Sequence, residues 1–490
     1  MMAASEAMPY AKTGGLADVL GALPQELAKL GHEVTLVLPC YPALIARQPS
    51  LQPMAKLRIP TAGGIADVVL EKETISVPGA IHPLTVIAVR YDPFFDRPGL
   101  YGTANGDYPD NLDRFILFCR AVLETIKVVA ATQRATVDIL HLHDWQAALC
   151  AVYLKVVVQE VAALNLVKTI LTLHNVGYQG IFPGGQFSKI GLPPTLFGPG
   201  GLEFYGSANL LKGGIIFADA VSTVSRTYAK EILTPEFGAG LEGVLASRAD
   251  GIHGITNGID ITAWDPATDA HLPANYSLEN RANKKLCKRA LQQELGLPTV
   301  NVPLLAAIGR LTQQKGFDLF LSLLPELMEL DVQVVVLGTG DAALEEQFAS
   351  MKERYPDRIG LSLGYHEGLA HRIEAGADML VMPSRYEPCG LTQLYSLRYG
   401  TIPIVRRTGG LADTVVPYKP STMKAKQATG FHFLEASADS ALSAIVMALA
   451  VYKDKKTWND MVSAGMRSDL SWKQVAIRYE ELYRLTMAEK

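Results

Sequence analysis

The sequence predicts two α/β domains, each built on a doubly wound parallel sheet. Short β-branched runs alternate with longer helical patterns almost throughout the chain. The apolar runs are continuous rather than alternating, as in strands buried on both faces of a parallel sheet. At 490 residues the chain also exceeds what one hydrophobic core usually supports.

The first series of strands reads HEVTLVLP (32–39), LTVIAV (84–89), VDILHLHD (137–144) and KTILTLHN (168–175). The second reads PLLAAIGR (303–310), VQVVVLGTG (332–340), DMLVMPS (378–384) and TIPIVRR (401–407). Helical stretches such as 146–161 separate them. Ligands of such folds bind outside the carboxyl ends of the strands. Near 251–260, Gly251, Gly254, Asn257 and Gly258 interrupt the pattern and mark a boundary. The expected first domain covers 1–252, and the second begins at 253.

Composition narrows the partners. Hydrophobic residues make up 49% and charged residues 19%, which is enough apolar side chain for two large cores. A net charge of −4 without a long like-charge run argues against nucleic acid or an anionic membrane as partner. The five cysteines (Cys40, Cys119, Cys150, Cys287, Cys389) are scattered, odd in number and free of C-x-x-C spacing. That pattern points to a reducing compartment and no structural metal. No apolar run approaches the ~18 residues of a membrane span, and the start resembles neither a secretory signal nor a transit peptide. The expected location is cytoplasmic, or the plastid stroma after processing.

Three segments carry candidate chemistry. KTGGLADVLGALPQELAKLG reads as a glycine loop opening an amphipathic helix, with Lys12 beside Gly14 and Gly15. Adjacent glycines allow close backbone approach, and a helix N-terminus favours an anion. The loop is neither a Walker loop nor a G-x-G-x-x-G fingerprint, and alone it is a weak signal. TGGLAD recurs at 408–413, where it is equally a strand-to-helix turn that needs glycine.

In IGRLTQQKGFD, Arg310 ends a strand and Lys315 follows five residues later. Two cations there suit a diphosphate leaving group, although spacing alone is better matched by a solvated loop. In SRYEPCGLTQLYSLRYG, Glu387 sits on a turn before Pro388, and Gly390 opens a helix. The N–H groups of Gly390, Leu391 and Thr392 suit phosphate oxygens. Glu387 would then lie near a neutral group such as a sugar, or serve only as an acid near a helix N-terminus.

His141 and His143 share one strand face in HLHDWQAAL, a spacing that resembles a metal site. No third and fourth ligand is evident nearby, so zinc is not expected. Asp144, Trp145, His174 and Asn175 fall at strand ends, where binding residues belong; a lone strand-end histidine is also often structural. No D-x-D pair occurs in the chain. A nucleotide-sugar enzyme of this composition would hold its diphosphate with protein cations and helix N-termini, without metal or cofactor.

Together ASEAMPYAKTGGLADV, LHDWQAAL, LTLHNVGYQG, GITNGID, IGRLTQQKG, LGYHE, PSRYEPCGLTQL and VRRTGGLADTV resemble the bacterial glycogen synthase and starch synthase family, in family order over nearly the whole chain. The resemblance implies the GT-B architecture, two Rossmann-like domains facing a deep cleft, with the last helix, 472–490, returning to complete the N-terminal domain and 253–471 forming the C-terminal one. It implies a retaining glucosyltransferase that moves glucose from ADP-glucose to an α-1,4-glucan, releasing ADP.

By residue, the resemblance makes Lys12, Gly14 and Gly15 the donor-phosphate loop, with Asp18 its acid. Arg310 and Lys315 neutralise the diphosphate. Tyr365 stacks on adenine, Cys389, Gly390, Leu391 and Thr392 form the phosphate-binding helix start, and Asn257 is a further donor contact. His174 contacts glucose and Glu387 binds its hydroxyls. Asp144, Trp145 and Asn175 are glucose or acceptor contacts. Ala17 and Thr392 match the wording of bacterial glycogen synthases. Family members carry a short apolar strand before A-S-E, whereas here only Met1, Met2 and Ala3 precede Ala4. A trimmed or shortened strand, and an effect on activity more than on fold, is the corresponding expectation. A glucan-binding scaffold without catalysis, or another transferase of the same architecture, is the alternative.

Overall fold

The computed structural model describes residues 1–47, 50–103, 106–133, 136–157, 162–364 and 366–488. The chain forms two compact units, Met1–Asn257 with Trp472–Lys490, and Gly258–Ser471.

The first unit holds a nine-stranded sheet. Its strands in chain order are β1 (Met2–Ala3), β2 (Thr35–Pro39), β3 (Gln52–Thr61), β4 (Gly64–Ile75), β5 (Leu84–Arg90), β6 (Ile139–His143), β7 (Lys168–Leu173), β8 (Ala220–Thr223) and β9 (His253–Gly254). Their spatial order is β9-β8-β7-β6-β1-β2-β5-β4-β3. All pairs are parallel except β5 with β4 and β4 with β3, which form an antiparallel edge that the sequence pattern did not predict. That edge is largely solvent-facing along β3, so it lacks the apolar run that marks the inner strands.

The two-residue first strand is central. Met2 and Ala3 pair with Leu36 and Val37 on one side and with His141 and Leu142 on the other. The ladder continues one residue further as the Ala4 N–H donates to the Val37 carbonyl at 3.2 Å. Winding reverses at this strand, since its neighbours are β2 and β6. The loops after β1 and β6 therefore flank a topological switch point.

Helices α1 (Gly15–Lys29), α2 (Asn111–Gln133), α3 (Asp144–Val156) and α4 (Trp472–Ala488) cover the sheet. Every residue of α3 from Trp145 to Leu154 is buried, the mark of a helix enclosed in the core. α1 and α4 share a separate cluster in which Leu20, Leu23 and Leu27 meet Trp472, Ala476 and Tyr479. The terminal helix thus completes the core of the first unit.

The second unit is a six-stranded, all-parallel sheet. Its strands are β10 (Leu304–Ile308), β11 (Gln333–Gly338), β12 (Ile359–Leu363), β13 (Met379–Met382), β14 (Ile402–Arg406) and β15 (Phe431–Phe433). Their order is β12-β11-β10-β13-β14-β15. Counted within the unit this is 3-2-1-4-5-6, the Rossmann order, with the switch point between β10 and β13. Among the described residues no helix is long and apolar enough to cross a membrane.

Candidate active site

In the first unit, three loops leave the carboxyl ends of the adjacent strands β1, β6 and β7. The β1 loop is folded around Glu6, which is only 3% exposed. Its carboxylate accepts from the Thr13 N–H at 2.5 Å, the Thr13 hydroxyl at 2.6 Å and the Gly14 N–H at 3.3 Å. It also accepts from the Tyr101 hydroxyl at 2.6 Å, which in turn lies 2.6 Å from Ser5 Oγ. Two N–H groups of the glycine loop therefore point inward. Those of Gly15 and Leu16, in the first turn of α1, have no carbonyl partner within the helix.

Lys12 Nζ lies 2.7 Å from Asp18 Oδ1 in that same turn. Gly14 is extended, with φ −158°. A Cβ added there would meet no atom within 4 Å, so nothing among the described residues demands glycine at this position.

At the ends of β6 and β7 the chain turns sharply. Asp144 has φ +56°, a region uncommon outside glycine but tolerated by Asp better than by most residues. Its Oδ1 accepts the His174 N–H at 2.7 Å. Burial pushes the Asp144 carboxyl up to about 7, against the lowering effect of the His174 and Asn175 N–H groups. Asn175 closes the following turn, with Oδ1 accepting from the Gly177 N–H at 2.9 Å.

Three histidines form a row behind this turn. His143 Nδ1 meets His174 Nε2 at 3.0 Å, and the rings of His143 and His141 are 4.1 Å apart. Both nitrogens of His141 are occupied, by the Tyr483 hydroxyl at 2.8 Å and the Thr172 hydroxyl at 2.6 Å. Burial lowers all three, His174 to about 3 and the other two well below the usual imidazole range. At neutral pH the row is uncharged.

Trp145 is 8% exposed and packs edge-on against Phe115 and Phe182. A Cβ on Gly180 (φ +63°) would lie 2.4 Å from the indole, so the glycine is required for this close approach. The ring supports the loop after β7 from below. Asn257 is 8% exposed, and its Oδ1 finds no hydrogen-bond partner among the described residues.

In the second unit one predicted cation, Lys315, meets the predicted acid, Glu387, at the switch point. Arg310 follows β10 and is exposed. Lys315 Nζ lies 2.7 Å from both carboxylate oxygens of Glu387, whose Oε2 also accepts from the Ser384 hydroxyl at 3.0 Å. The loops after β10 and β13 are joined along their backbones as well. The Arg385 N–H donates to the Gln314 carbonyl at 2.8 Å, and Gly316 (φ +72°) sits where a Cβ would be 2.0 Å from the Pro383 carbonyl oxygen.

After Glu387, Gly390 takes φ +72° and the helix itself, α-helical over Thr392–Tyr399, starts two residues later than the sequence suggested. Leu391 is its N-cap residue. Gln393 holds the approach in shape, its amide donating to the Cys389 and Gly390 carbonyls at 3.0 and 2.9 Å.

The second TGGLAD lies directly against this turn. A Cβ on Gly409 would be 1.9 Å from the Glu387 carbonyl oxygen, and one on Gly410 would be 2.0 Å from that of Cys389. The Gly410 N–H donates to the Glu387 carbonyl at 3.0 Å. The glycine pair is there so that two backbones can touch. Tyr365 lies outside the described residues. Sequence reasoning gave no role to Glu6, Tyr101, Ser384 or Gln393. Glu6 stood inside a quoted motif, but its partners become visible only when the chain is folded.

Comparison with known proteins agrees with this arrangement over the whole chain. Residues 1–247 match the starch synthase catalytic domain family, and residues 290–465 match the glycosyl transferases group 1 family. A glycogen synthase of Anaeromyxobacter dehalogenans is 45% identical, and glycogen synthase 2 of Geobacter sulfurreducens 44% identical; each alignment covers 99% of this chain and 98% of the relative. The catalytic domain of starch synthase IV from Arabidopsis thaliana, solved with ADP and acarbose bound, superposes with a TM-score of 0.89 at 33% identity, covering 100% of this chain and 99% of that one. A sucrose-phosphate synthase from Thermosynechococcus elongatus, 17% identical with a TM-score of 0.60, shares the fold alone. Two α/β units with mainly parallel sheets, matched from end to end by these relatives, place the chain in the glycogen and starch synthase family of glucosyltransferases.

Proposed function

We propose that the chain extends an α-1,4-glucan from ADP-glucose with retention at the anomeric carbon. The observation that carries the reading is the Lys315–Glu387 pair at the β10/β13 switch point. A lysine held on a nearly buried carboxylate is a cation fixed before the donor arrives, which is what a developing diphosphate charge requires.

In this reading Arg310 and Lys315 stabilise the departing diphosphate, with the N–H groups of Leu391 and Thr392 as further donors. Glu387, directed by Lys315 and Ser384, accepts hydroxyls of the transferred glucose. Lys12 and the first-turn N–H groups of α1 meet donor phosphate. The uncrowded Gly14 suits close approach by a ligand rather than by the protein's own chain. His174 keeps one ring nitrogen on His143 and has the other for a sugar hydroxyl. Asn257 Oδ1 is a buried acceptor suited to a donor hydroxyl, and Tyr365 is assigned to the adenine.

The glucan 4-hydroxyl attacks C1 on the face from which the C1–O bond to phosphate breaks. Its proton passes to the leaving phosphate oxygen, and ADP departs. No enzyme carboxylate is needed as a nucleophile. Asp144 is poorly suited to that role, since burial holds it toward its neutral form and its Oδ1 is taken by the His174 N–H. Positioning and electrostatic stabilisation then supply most of the rate enhancement.

The test is a matrix of ADP-glucose and UDP-glucose against glycogen, amylopectin and short maltodextrins, without added metal. ADP-glucose should be the better donor. Glu387→Ala should lower turnover by roughly two orders of magnitude or more with the melting temperature held. A clear preference for UDP-glucose, or glucan binding with no nucleotide release from any acceptor, would overturn the reading.

A further inference from the structure

The three-stranded sheet made by Ile181–Pro183, Glu203–Phe204 and Ser207–Asn209 has no part in the chemistry above. Its hairpin pairs Phe204 with Ser207, leaving a two-residue turn of Tyr205 and Gly206. Both have positive φ, +50° and +80°. Such turns favour Asn-Gly, because a bulky side chain is strained there. Tyr205 is nevertheless the most exposed large apolar side chain among the described residues, at 84%.

The turn is held firmly. The Gly206 N–H donates to Glu203 Oε1 at 2.8 Å, and Lys212 Nζ donates to the Glu203 carbonyl at 2.5 Å. Phe204 packs edge-on to Tyr205 with ring centroids 4.7 Å apart. Gly240 lies against both rings, since a Cβ there would be 2.8 Å from Phe204 Cζ and 3.5 Å from Tyr205 Cε2. The ring is braced along one side and open on the rest. Strain kept on a rigid turn to hold an aromatic in solvent points to a ligand rather than to the fold.

We infer that Tyr205 is a docking platform for the α-glucan chain, outside the reacting centre. The inference rests on the acceptor proposed above. The central strand of this small sheet pairs with Ile181–Pro183, which begins seven residues after His174 in the chain. The sheet is therefore covalently continuous with the loop assigned to the sugar. A neutral polymer offers no charge to grip; its pyranose rings offer C–H faces, and a flat aromatic with a polar tip is the side chain that complements them. A long acceptor carries further pyranose rings beyond the one that reacts and can offer them to such a platform, whereas a very short one has none to spare.

The experiment compares Tyr205→Asn and Tyr205→Trp with the parent enzyme. Retardation in native gels containing glycogen is read without donor, and ADP release is read with glycogen and with maltotriose. Tyr205→Asn should lose retardation and raise KM for glycogen about five- to tenfold. Its rate on maltotriose and its KM for ADP-glucose should stay within twofold. Tyr205→Trp should behave as the parent. Tyr205→Asn should melt no lower than the parent, because Asn suits the turn, so a folding defect cannot mimic the result. Unchanged retardation and glycogen KM in Tyr205→Asn would overturn the inference, as would equal loss on both acceptors. If the parent releases no ADP from any donor, the proposed activity fails, while the gel still decides the platform.

Discussion

Glu6 organises the glycine loop from beneath. One buried carboxylate receives the Thr13 N–H, the Thr13 hydroxyl and the Tyr101 hydroxyl, each at 2.5–2.6 Å. Glu6→Gln preserves shape but turns one acceptor oxygen into a donor that faces another donor. We expect a loss of ~1–3 kcal/mol, the usual cost of an unsatisfied buried polar group, read as a lowered urea midpoint. Because the same bonds set the loop, KM for the nucleotide sugar should rise as well. Unchanged stability and KM would remove Glu6 from this role. The residue types of this site were legible in sequence, but their partners were not. Glu6 reaches Tyr101 across 95 positions and His141 reaches Tyr483 across 342, separations that no local pattern encodes. The same limit applies to His141 and His143. Their spacing suggested a shared strand face, and the rings do lie 4.1 Å apart, but it did not give their partners: His141 is a core residue bonded at both nitrogens and His143 the neighbour of His174.

At the scale of elements, the two TGGLAD turns use glycine for opposite reasons, and a matched pair of substitutions separates them. Gly409 has φ +43° and no room, since a methyl group on its Cα would lie 1.9 Å from the Glu387 carbonyl oxygen. Gly409→Ala should displace the Glu387 turn, lowering both the melting temperature and turnover. Gly14 has an ordinary extended φ and empty space around it. Gly14→Ala should leave melting unchanged and weaken donor binding, measured as KM for ADP-glucose. A drop in stability for Gly14→Ala, or none for Gly409→Ala, would contradict the distinction. All eight strands named from sequence appear, with ends within three residues of those expected, because each is largely buried on both faces and bounded by polar turns. What escaped were elements without that signal. β3 has a single buried residue and the Tyr205 hairpin carries strands of two and three, whereas the two-residue β1 was expected only through the family resemblance.

At the scale of the molecule, the two units keep separate cores, and the terminal helix α4 belongs to the first. Length and periodicity implied two domains, whereas the return of this helix followed only from the family resemblance. Its Tyr483 ends the histidine row, so the row ties the far end of the chain to the loop after β7. The row also makes stability depend on pH. His174 has a folded pKa of about 3 against about 6.5 when unfolded, and His141 and His143 shift in the same direction. Above pH ~6.5 neither state holds the proton, and these groups contribute nothing. As pH falls below that, the unfolded chain binds protons that the folded row refuses. Stability should drop by up to ~1.4 kcal/mol per pH unit for each histidine. Asp144 acts oppositely. Its folded pKa of about 7 lies above the unfolded value, so the folded state binds the proton first and gains stability as pH falls from 7 towards 4. Three groups oppose one, and the first unit should lose stability between pH 6.5 and 4.5. Urea midpoints at pH 7.5, 6 and 5 measure this, and His143→Gln should make the slope shallower. A midpoint that is flat or rises over that interval would show that the buried histidines do not stay neutral.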